Sequence, residues 1–220
     1  TNPVWDTSGV YYWAEPLLGY YTSYDYWTYR KHAEMLANAG VDFIMFDYSN
    51  NGWTYVQTLN TLVAAFRDSK ATGVNVPRIS AMMELGNGRY ESSFRGLTSI
   101  YYNCFVENDY SDIWYYYEGK PLLYGESDYE NSLKYLEKDD KAEMDILEML
   151  KGFFTFRGNG GRNDYKDEAT GSNNWHWLDK FPQVQRNKDA SGRAEAVALG
   201  TAINQSTLIG PSQTGVFSDQ

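Results

Sequence analysis

The 220-residue chain has one cysteine, two histidines and no long apolar run, and each scarcity excludes a class of protein. Cys104 alone cannot form an internal disulfide or a multi-cysteine metal site, and no catalytic signature surrounds it. His32 and His176 are too few for a histidine-rich metal centre, so we expect no metal and no cofactor. No stretch approaches the roughly 18 apolar residues of a membrane-spanning helix, so we expect no membrane span.

Positive charge is also scarce. The chain has 19 Lys and Arg against 29 Asp and Glu, for a net charge of −10. Such a surface repels phosphate backbones, so nucleic acid is not an expected partner. Gly-x-Ser-x-Gly and His-Glu-x-x-His are absent, as is a glycine-rich phosphate loop after the first predicted strand. These absences argue against an esterase, a zinc protease and a nucleotide-binding fold.

Aromatic residues with a polar group are abundant. The chain has 20 Tyr and 7 Trp but only 10 Phe. Tyr and Trp suit surfaces that are half apolar and half hydrogen-bonding, which is the character of a sugar ring. Ordinary core packing is the alternative explanation for many of them. The composition therefore favours a carbohydrate partner without proving one.

Strand-like and helix-like segments alternate along the chain. Helices are predicted at Asp25–Ala39, Thr54–Ala71, Ser92–Val106 and Glu143–Lys151. Strands are predicted at Val10–Ala14, Val41–Phe46, Arg78–Met83, Lys120–Tyr124, Phe153–Phe156 and Ala194–Ala202. This alternation predicts an α/β fold with a parallel sheet, either an open doubly wound sheet or a (β/α)8 TIM-barrel-like fold, and the barrel is favoured. Five to six units are too few for a whole barrel, so we expect residues 1–220 to form one barrel domain truncated at its C-terminus.

Charged residues follow the predicted strands where an active site would lie. Glu15, Asp47, Glu84 and Glu126 each fall at the C-terminal end of a strand, and so does Arg157. Those ends converge on one face of a barrel. Glycoside hydrolysis uses two carboxyl groups, so the four acids are our candidate catalytic residues. The alternative for each of them is a capping or loop carboxylate.

Further polar and aromatic residues near these acids are candidate substrate-binding residues. They are Tyr12, Trp13, Tyr48, Asn50, Trp53, Arg157, Trp175, His176 and Trp177. Arg157 could bind a substrate group or fix one of the acids. The glycine-rich segment 158–174 that leads to Trp175 is typical of a functional loop. His32, on the first predicted helix, is expected to be structural.

Several of these segments resemble a known family. Gly40–Asp47, Arg78–Glu84 and Gly119–Tyr124 are similar to strands of glycoside hydrolase families 99 and 71, which are endo-α-mannosidases and α-1,3-glucanases. Val10–Pro16, Gly19–Asp25 and Trp175–Gln183 resemble uncharacterised bacterial relatives. The resemblance implies a barrel glycosidase in which Glu84 contacts substrate. Leu85 and Gly86 replace the Pro-Tyr of family 99, and its late Trp-x-Glu segment is absent.

Three functions follow from these observations. The leading hypothesis is a glycoside hydrolase acting on a polysaccharide or glycan and exported by a bacterium to its periplasm, cell surface or surroundings. The second is a non-catalytic carbohydrate-binding barrel, which the missing late acids favour. The third is a metal-dependent hydrolase using Asp47 and His176, although the histidines are few. The sequence leaves open the sugar, the linkage, the stereochemical course and the oligomeric state.

Overall fold

A computed structural model describes residues 15–48, 55–83, 90–125, 141–158, 175 and 185–197. The chain divides into two compact units. The first is Thr1–Val41 with Gln57–Val76, and the second is Asp42–Val56 with Pro77–Gln220. None of the helices within the described ranges is long and apolar enough to cross a membrane.

Helix α1 (Tyr26–Asn38) begins and ends where the sequence predicts. The Asp25 carboxylate accepts a hydrogen bond of 2.9 Å from the Thr28 backbone N–H, which is the usual role of an N-cap. Gly40 follows the helix at a φ of +73°, a left-handed conformation that glycine adopts without steric cost. Local sequence signals therefore determine both ends of this helix.

Helix α2 (Val56–Ala71) confirms the predicted amphipathic pattern. Its stripe of Leu59, Leu62, Val63 and Phe66 is buried. In the first unit, the Tyr26 hydroxyl of α1 donates a hydrogen bond to the Asp68 carboxylate of α2. A polar contact thus joins the two helices.

The second unit contains the sheet. Its strands are β1 (Phe43–Tyr48), β2 (Arg78–Met83), β3 (Tyr116–Tyr117), β4 (Lys120–Gly125) and β5 (Thr155–Gly158). Parallel pairing joins β1 to β2, β2 to β4 and β4 to β5, while β3 pairs antiparallel with β4. Helices α3 (Tyr90–Tyr101) and α4 (Lys141–Phe153) precede β4 and β5 along the chain. The predicted α/β class with a parallel sheet is confirmed.

The core of this unit forms around the buried ring of Trp114. Its indole N–H donates a hydrogen bond of 3.0 Å to the Leu122 carbonyl of β4, and its ring lies 4.9 Å from that of Phe105. The Ser80 hydroxyl of β2 donates to the same carbonyl at 2.8 Å. These two buried donors therefore share one backbone acceptor, which satisfies the hydrogen bonding that burial requires.

A tight turn joins β3 to β4. Glu118 and Gly119 have φ values of +52° and +79°, the pair of left-handed residues that a two-residue hairpin turn needs. The preceding Tyr115–Tyr117 run could be interpreted from sequence as packing between helices. The structure instead places Tyr116 and Tyr117 in a strand.

We expect glycine-to-alanine changes at two positions to have opposite effects on stability. Gly119→Ala puts a Cβ on a left-handed residue and is expected to lower the free energy of unfolding by about 1 kcal/mol. Gly152→Ala lies in α4 with open space around the new methyl group, and is expected to raise it by about 0.5 kcal/mol. Urea unfolding of both variants measures this. Equal effects of the two changes would contradict the assigned turn.

Two expectations from the sequence are corrected. The strand predicted to begin at Ala194 is present, but its expected place in the parallel sheet is wrong. It forms β7 (Ala194–Val197), which pairs antiparallel with β6 (Gln185–Lys188) in a separate hairpin. The predicted helix over Ser92–Val106 leaves regular α geometry after Tyr101 and continues as the π-helical segment Tyr102–Glu107. The first predicted strand, Val10–Ala14, lies outside the described residues.

Candidate functional site

The strand register places several candidates on one face of the sheet. Asp47 is aligned with Met82, Met82 with Tyr124, and Tyr124 with Arg157. Residues in register on parallel strands point to the same side, so this row of four shares one face. We call it the Arg157 face. The row lies close to the C-terminal ends of the four parallel strands.

Asp47 lies exposed near the end of β1. Three strand spacings separate its backbone from that of Arg157, which is roughly 14 Å at about 4.8 Å per spacing. The two residues therefore share a face but not a contact distance at the backbone. An exposed carboxylate at this end of a parallel strand is placed as the acid of a barrel hydrolase would be.

Arg157 lies at the centre of a hydrogen-bonded network. Its Nε and Nη2 atoms donate to Glu195 Oε1 at 3.2 and 3.0 Å, and Nη2 donates to Glu118 Oε1 at 3.2 Å. Nη1 donates to the Phe156 carbonyl at 3.0 Å. The Tyr117 hydroxyl donates to Glu195 Oε1 as well. We call Tyr117, Glu118, Arg157 and Glu195 the Arg157 network.

The network raises the pKa values of two of its members, Arg157 and Tyr117. Burial alone lowers the pKa of Arg157, but the hydrogen bonds and charge of Glu195 outweigh it and raise the pKa above its usual value. Burial and the hydrogen bond to Glu195 raise the pKa of Tyr117. The guanidinium is therefore permanently charged, and the phenol stays neutral and able to donate. The described carboxylate partners of Arg157 are Glu118 and Glu195, which are not among the candidate catalytic acids, so both roles predicted for Arg157 stay predictions.

Aromatic rings surround the guanidinium. The carbon Cζ of Arg157 lies 4.6 Å from the ring centre of Tyr117 and 5.7 Å from that of Trp175. Tyr117 and Trp175 meet edge to face at 5.0 Å, and Trp175 is also tilted against Tyr124 at 6.2 Å. The backbone N–H of Trp175 donates to the Gly158 carbonyl at 2.8 Å. These contacts place Trp175 on the Arg157 face, and its predicted role in binding substrate stays a prediction.

The indole N–H of Trp175 is buried without a hydrogen-bond partner among the described residues. Buried indole N–H groups usually have an acceptor. The ring packs against Tyr117 and Tyr124, and the residue as a whole is half-buried. Trp175 thus combines an aromatic ring on the Arg157 face with a buried donor that has no partner among the described residues.

Tyr48 lies away from this site. It follows Asp47 in β1 and therefore points to the opposite face of the sheet, where it is 3% exposed. Burial raises the pKa of its hydroxyl far above the usual range. The structure places this predicted sugar-contacting ring in the core, because strand alternation moves adjacent residues to opposite faces.

The remaining candidates divide into two groups. Glu15 is exposed in the first unit, before α1. The others fall outside the described residues: Glu84, Glu126, Tyr12, Trp13, Asn50, Trp53, His176 and Trp177. Of the predicted site residues, the structure therefore brings together Arg157 and Trp175, with Asp47 on the same face.

Sequence reasoning missed Tyr117, Glu118 and Glu195. The Glu118-Gly119 pair was the available signal for a hairpin turn that would bring Tyr117 beside β4. Nothing in the local sequence distinguishes Glu195, which reaches Arg157 from 38 positions further along the chain. Its role depends on tertiary structure alone.

Cysteine and metal chemistry find no support in the described part of the chain. Cys104 is buried, and burial raises the pKa of its thiol to about 12, so the nucleophilic thiolate is not populated near neutral pH. Within the described ranges, no group of three or more His, Cys, Asp or Glu is arranged to hold a metal ion. His32 packs edge to face against Tyr21 and Tyr29, as expected of a structural residue.

Comparison with solved structures finds glycoside hydrolases. One is described as a glycoside hydrolase-like protein, with a TM-score of 0.43 and 15% identity over 70% of this chain and 48% of that one. Two are the GH99 endo-α-mannosidase from Bacteroides thetaiotaomicron, with TM-scores of 0.41 and 0.42 and identities of 19% and 18% over 71% of this chain. They are covered over 51% and 48% of their length. The predicted resemblance to family 99 is confirmed as a partial structural similarity.

The chain spans about half the length of these solved structures. No family model and no curated protein sequence matches it.

Proposed function

We propose that this protein is a glycoside hydrolase acting on a polysaccharide or glycan. The observation that carries the proposal is the exposed carboxylate of Asp47 on a face shared with Tyr124 and Arg157, at the C-terminal ends of parallel strands. Glu84 and Glu126 follow directly after the last residues of β2 and β4 in the sequence. In the sequence, one acid thus lies in β1 and two others come directly after β2 and β4, which are its neighbours in the sheet.

The strand spacing supports this assignment. Neighbouring strands lie about 4.8 Å apart, and strands two apart lie about 9.6 Å apart. The two carboxyl groups of a glycosidase are about 5 to 5.5 Å apart when configuration is retained and about 6.5 to 9.5 Å apart when it is inverted. The backbone spacings of neighbouring strands and of strands two apart are thus of the same size as the carboxyl separations of the two courses.

The proposed chemistry needs only carboxyl groups and water. One protonated carboxyl group gives its proton to the departing glycosidic oxygen. A second, ionised carboxylate either attacks the anomeric carbon or removes a proton from the attacking water. We propose Asp47, Glu84 and Glu126 for these tasks, with the half-buried Trp175 as an aromatic residue against which a sugar can stack. Glu15, from the first unit, remains a fourth candidate.

A glycan array tests the proposal. We expect the full-length gene product to bind one class of glycan and to release reducing ends from it, and we expect Asp47→Asn to weaken both signals by tenfold or more, about 1.4 kcal/mol. Asp145→Asn, an exposed acid of α4, is the matched control and is expected to behave like the parent. Binding without any turnover would favour the carbohydrate-binding alternative. Absence of binding by a folded protein would contradict both.

We also propose export by a bacterium to the periplasm, cell surface or medium, where polysaccharide substrates are found. Cell fractionation with an antibody to the chain tests this, and a purely cytoplasmic location would contradict it.

A further inference from the structure

The hairpin formed by β6 and β7 makes few contacts with the other described elements of the second unit. Its two strands pair with each other, and neither packs extensively against another described element. Gln185, Lys188 and the whole turn from Asp189 to Arg193 are exposed. An isolated two-stranded hairpin is only marginally stable in water, so this one depends on whatever contact holds it.

The turn of the hairpin is well built, which makes it a unit that can move as a whole. Asp189 Oδ1 accepts hydrogen bonds from the backbone N–H groups of Ser191 and Arg193 at 2.9 and 3.0 Å. The Asp189 backbone N–H donates to the Arg193 carbonyl at 2.9 Å. These bonds lie within the hairpin and do not attach it to the sheet.

Glu195 provides the attachment. Residue 195 as a whole is exposed, but its side chain is only 20% exposed, because it leaves the solvent-facing backbone of β7 and reaches inward. There its Oε1 atom accepts from Arg157 Nε, Arg157 Nη2 and the Tyr117 hydroxyl. A single carboxylate oxygen thus accepts three hydrogen bonds from two strands of the sheet, two from the charged guanidinium and one from the Tyr117 hydroxyl.

We propose that the β6–β7 hairpin is a mobile strap that the hydrogen bonds of Glu195 hold against the Arg157 face. We call these hydrogen bonds the Glu195 latch. When they break, residues 185–197 move away while the sheet stays folded. Opening uncovers the Tyr117 ring and the Arg157 guanidinium that Glu195 contacts. This inference rests on the hydrogen bonds of Glu195 and does not depend on the glycosidase proposal.

Hydrogen exchange measured by mass spectrometry on the full chain tests the latch. In Glu195→Gln we expect the amides of residues 185–197 to exchange about tenfold faster or more, with β2 and β4 unchanged. A tenfold change corresponds to a loss of about 1.4 kcal/mol. Glu118→Gln is the matched control, because Glu118 also contacts Arg157 but lies in the β3–β4 turn. It is expected to leave hairpin exchange at the parent rate.

Tyr117→Phe provides a milder second variant, since it removes one donor to Glu195 and keeps the ring. We expect it to accelerate exchange of the hairpin by a smaller factor in the same residues. Parent-like exchange of the hairpin in Glu195→Gln would overturn the proposal. Equal acceleration of amide exchange in the hairpin and in the sheet, in both Glu195→Gln and Tyr117→Phe, would also overturn it. The hairpin would then open only when the whole protein unfolds.

Discussion

Replacing Arg157 with Met is expected to lower the free energy of unfolding by about 3 kcal/mol. The side chain of Arg157 is 7% exposed and that of Glu195 is 20% exposed, so the change leaves a largely buried carboxylate without its cation. Removing one partner of such a pair is far more costly than the net gain from having it, because the remaining charge recovers its hydration only when the hairpin is released from the sheet. Met keeps most of the apolar stem, which limits the loss of packing.

Urea unfolding followed by circular dichroism measures the effect, with the slope of the transition checked for constancy. Glu118→Gln is the control. The Glu118 side chain is 63% exposed, so its pair with Arg157 is screened by water and is expected to contribute less than about 1 kcal/mol. A stability loss for Glu118→Gln as large as that for Arg157→Met would show that the buried location of Glu195 is not what matters.

The same variant separates a structural role of Arg157 from direct substrate binding. If the main role of Arg157 is to hold Glu195, the loss appears in stability and in the attachment of the hairpin. If Arg157 binds substrate directly, stability changes little and glycan affinity falls. The three hydrogen bonds to Glu118 and Glu195 favour the first outcome, because a guanidinium already engaged in this way has few donors left for a ligand.

Elements defined by local signals were predictable. Asp25 and Gly40 bracket α1, and an apolar stripe of period 3.6 defines α2. Strand β2 has the predicted limits because a buried parallel strand is a short, nearly continuous apolar run between polar ends. In each case the information lies within about 15 neighbouring residues.

Elements defined by long-range pairing were not predictable. The segment that begins at Ala194 has strand character, but nothing in it states whether its partner is a strand of the sheet or a strand of a hairpin. The turn around Asp189 determines that β7 pairs with β6, because hydrogen bonds to the Asp189 side chain close the hairpin. The π-helical segment Tyr102–Glu107 has no local signature either.

The candidate site divides along the same line. Asp47 and Arg157 were found because a charged residue at the end of an apolar strand stands out in the sequence. Tyr48 was misplaced because a one-residue step along a strand reverses the side-chain direction, and composition does not show which face is buried. Glu195 was missed because its partner is 38 residues away.

Replacing Glu84 with Gln in the full-length gene product is expected to lower kcat by about 10² to 10⁴-fold, the usual contribution of a positioned proton donor or acceptor. Gln keeps the size of the side chain but neither gives up nor takes a proton in this pH range. Because the change is isosteric, we expect KM and the free energy of unfolding to change little. The measurement is the rate of release of reducing ends from the glycan identified on the array.

The pH profile then assigns the role. Loss of a general acid is expected to remove the alkaline limb of a bell-shaped profile, and loss of a general base the acidic limb. Glu126→Gln and Asp47→Asn, assayed side by side, should show the complementary limb in at least one case, because the two carboxyl groups of a glycosidase have opposite roles in the first step. Glu148→Gln, in an exposed ion pair with Lys151 on α4, should leave the profile unaltered. Parent-like rates in all three acid variants would exclude Asp47, Glu84 and Glu126 from the mechanism. The Arg157 face would then remain as a binding surface only.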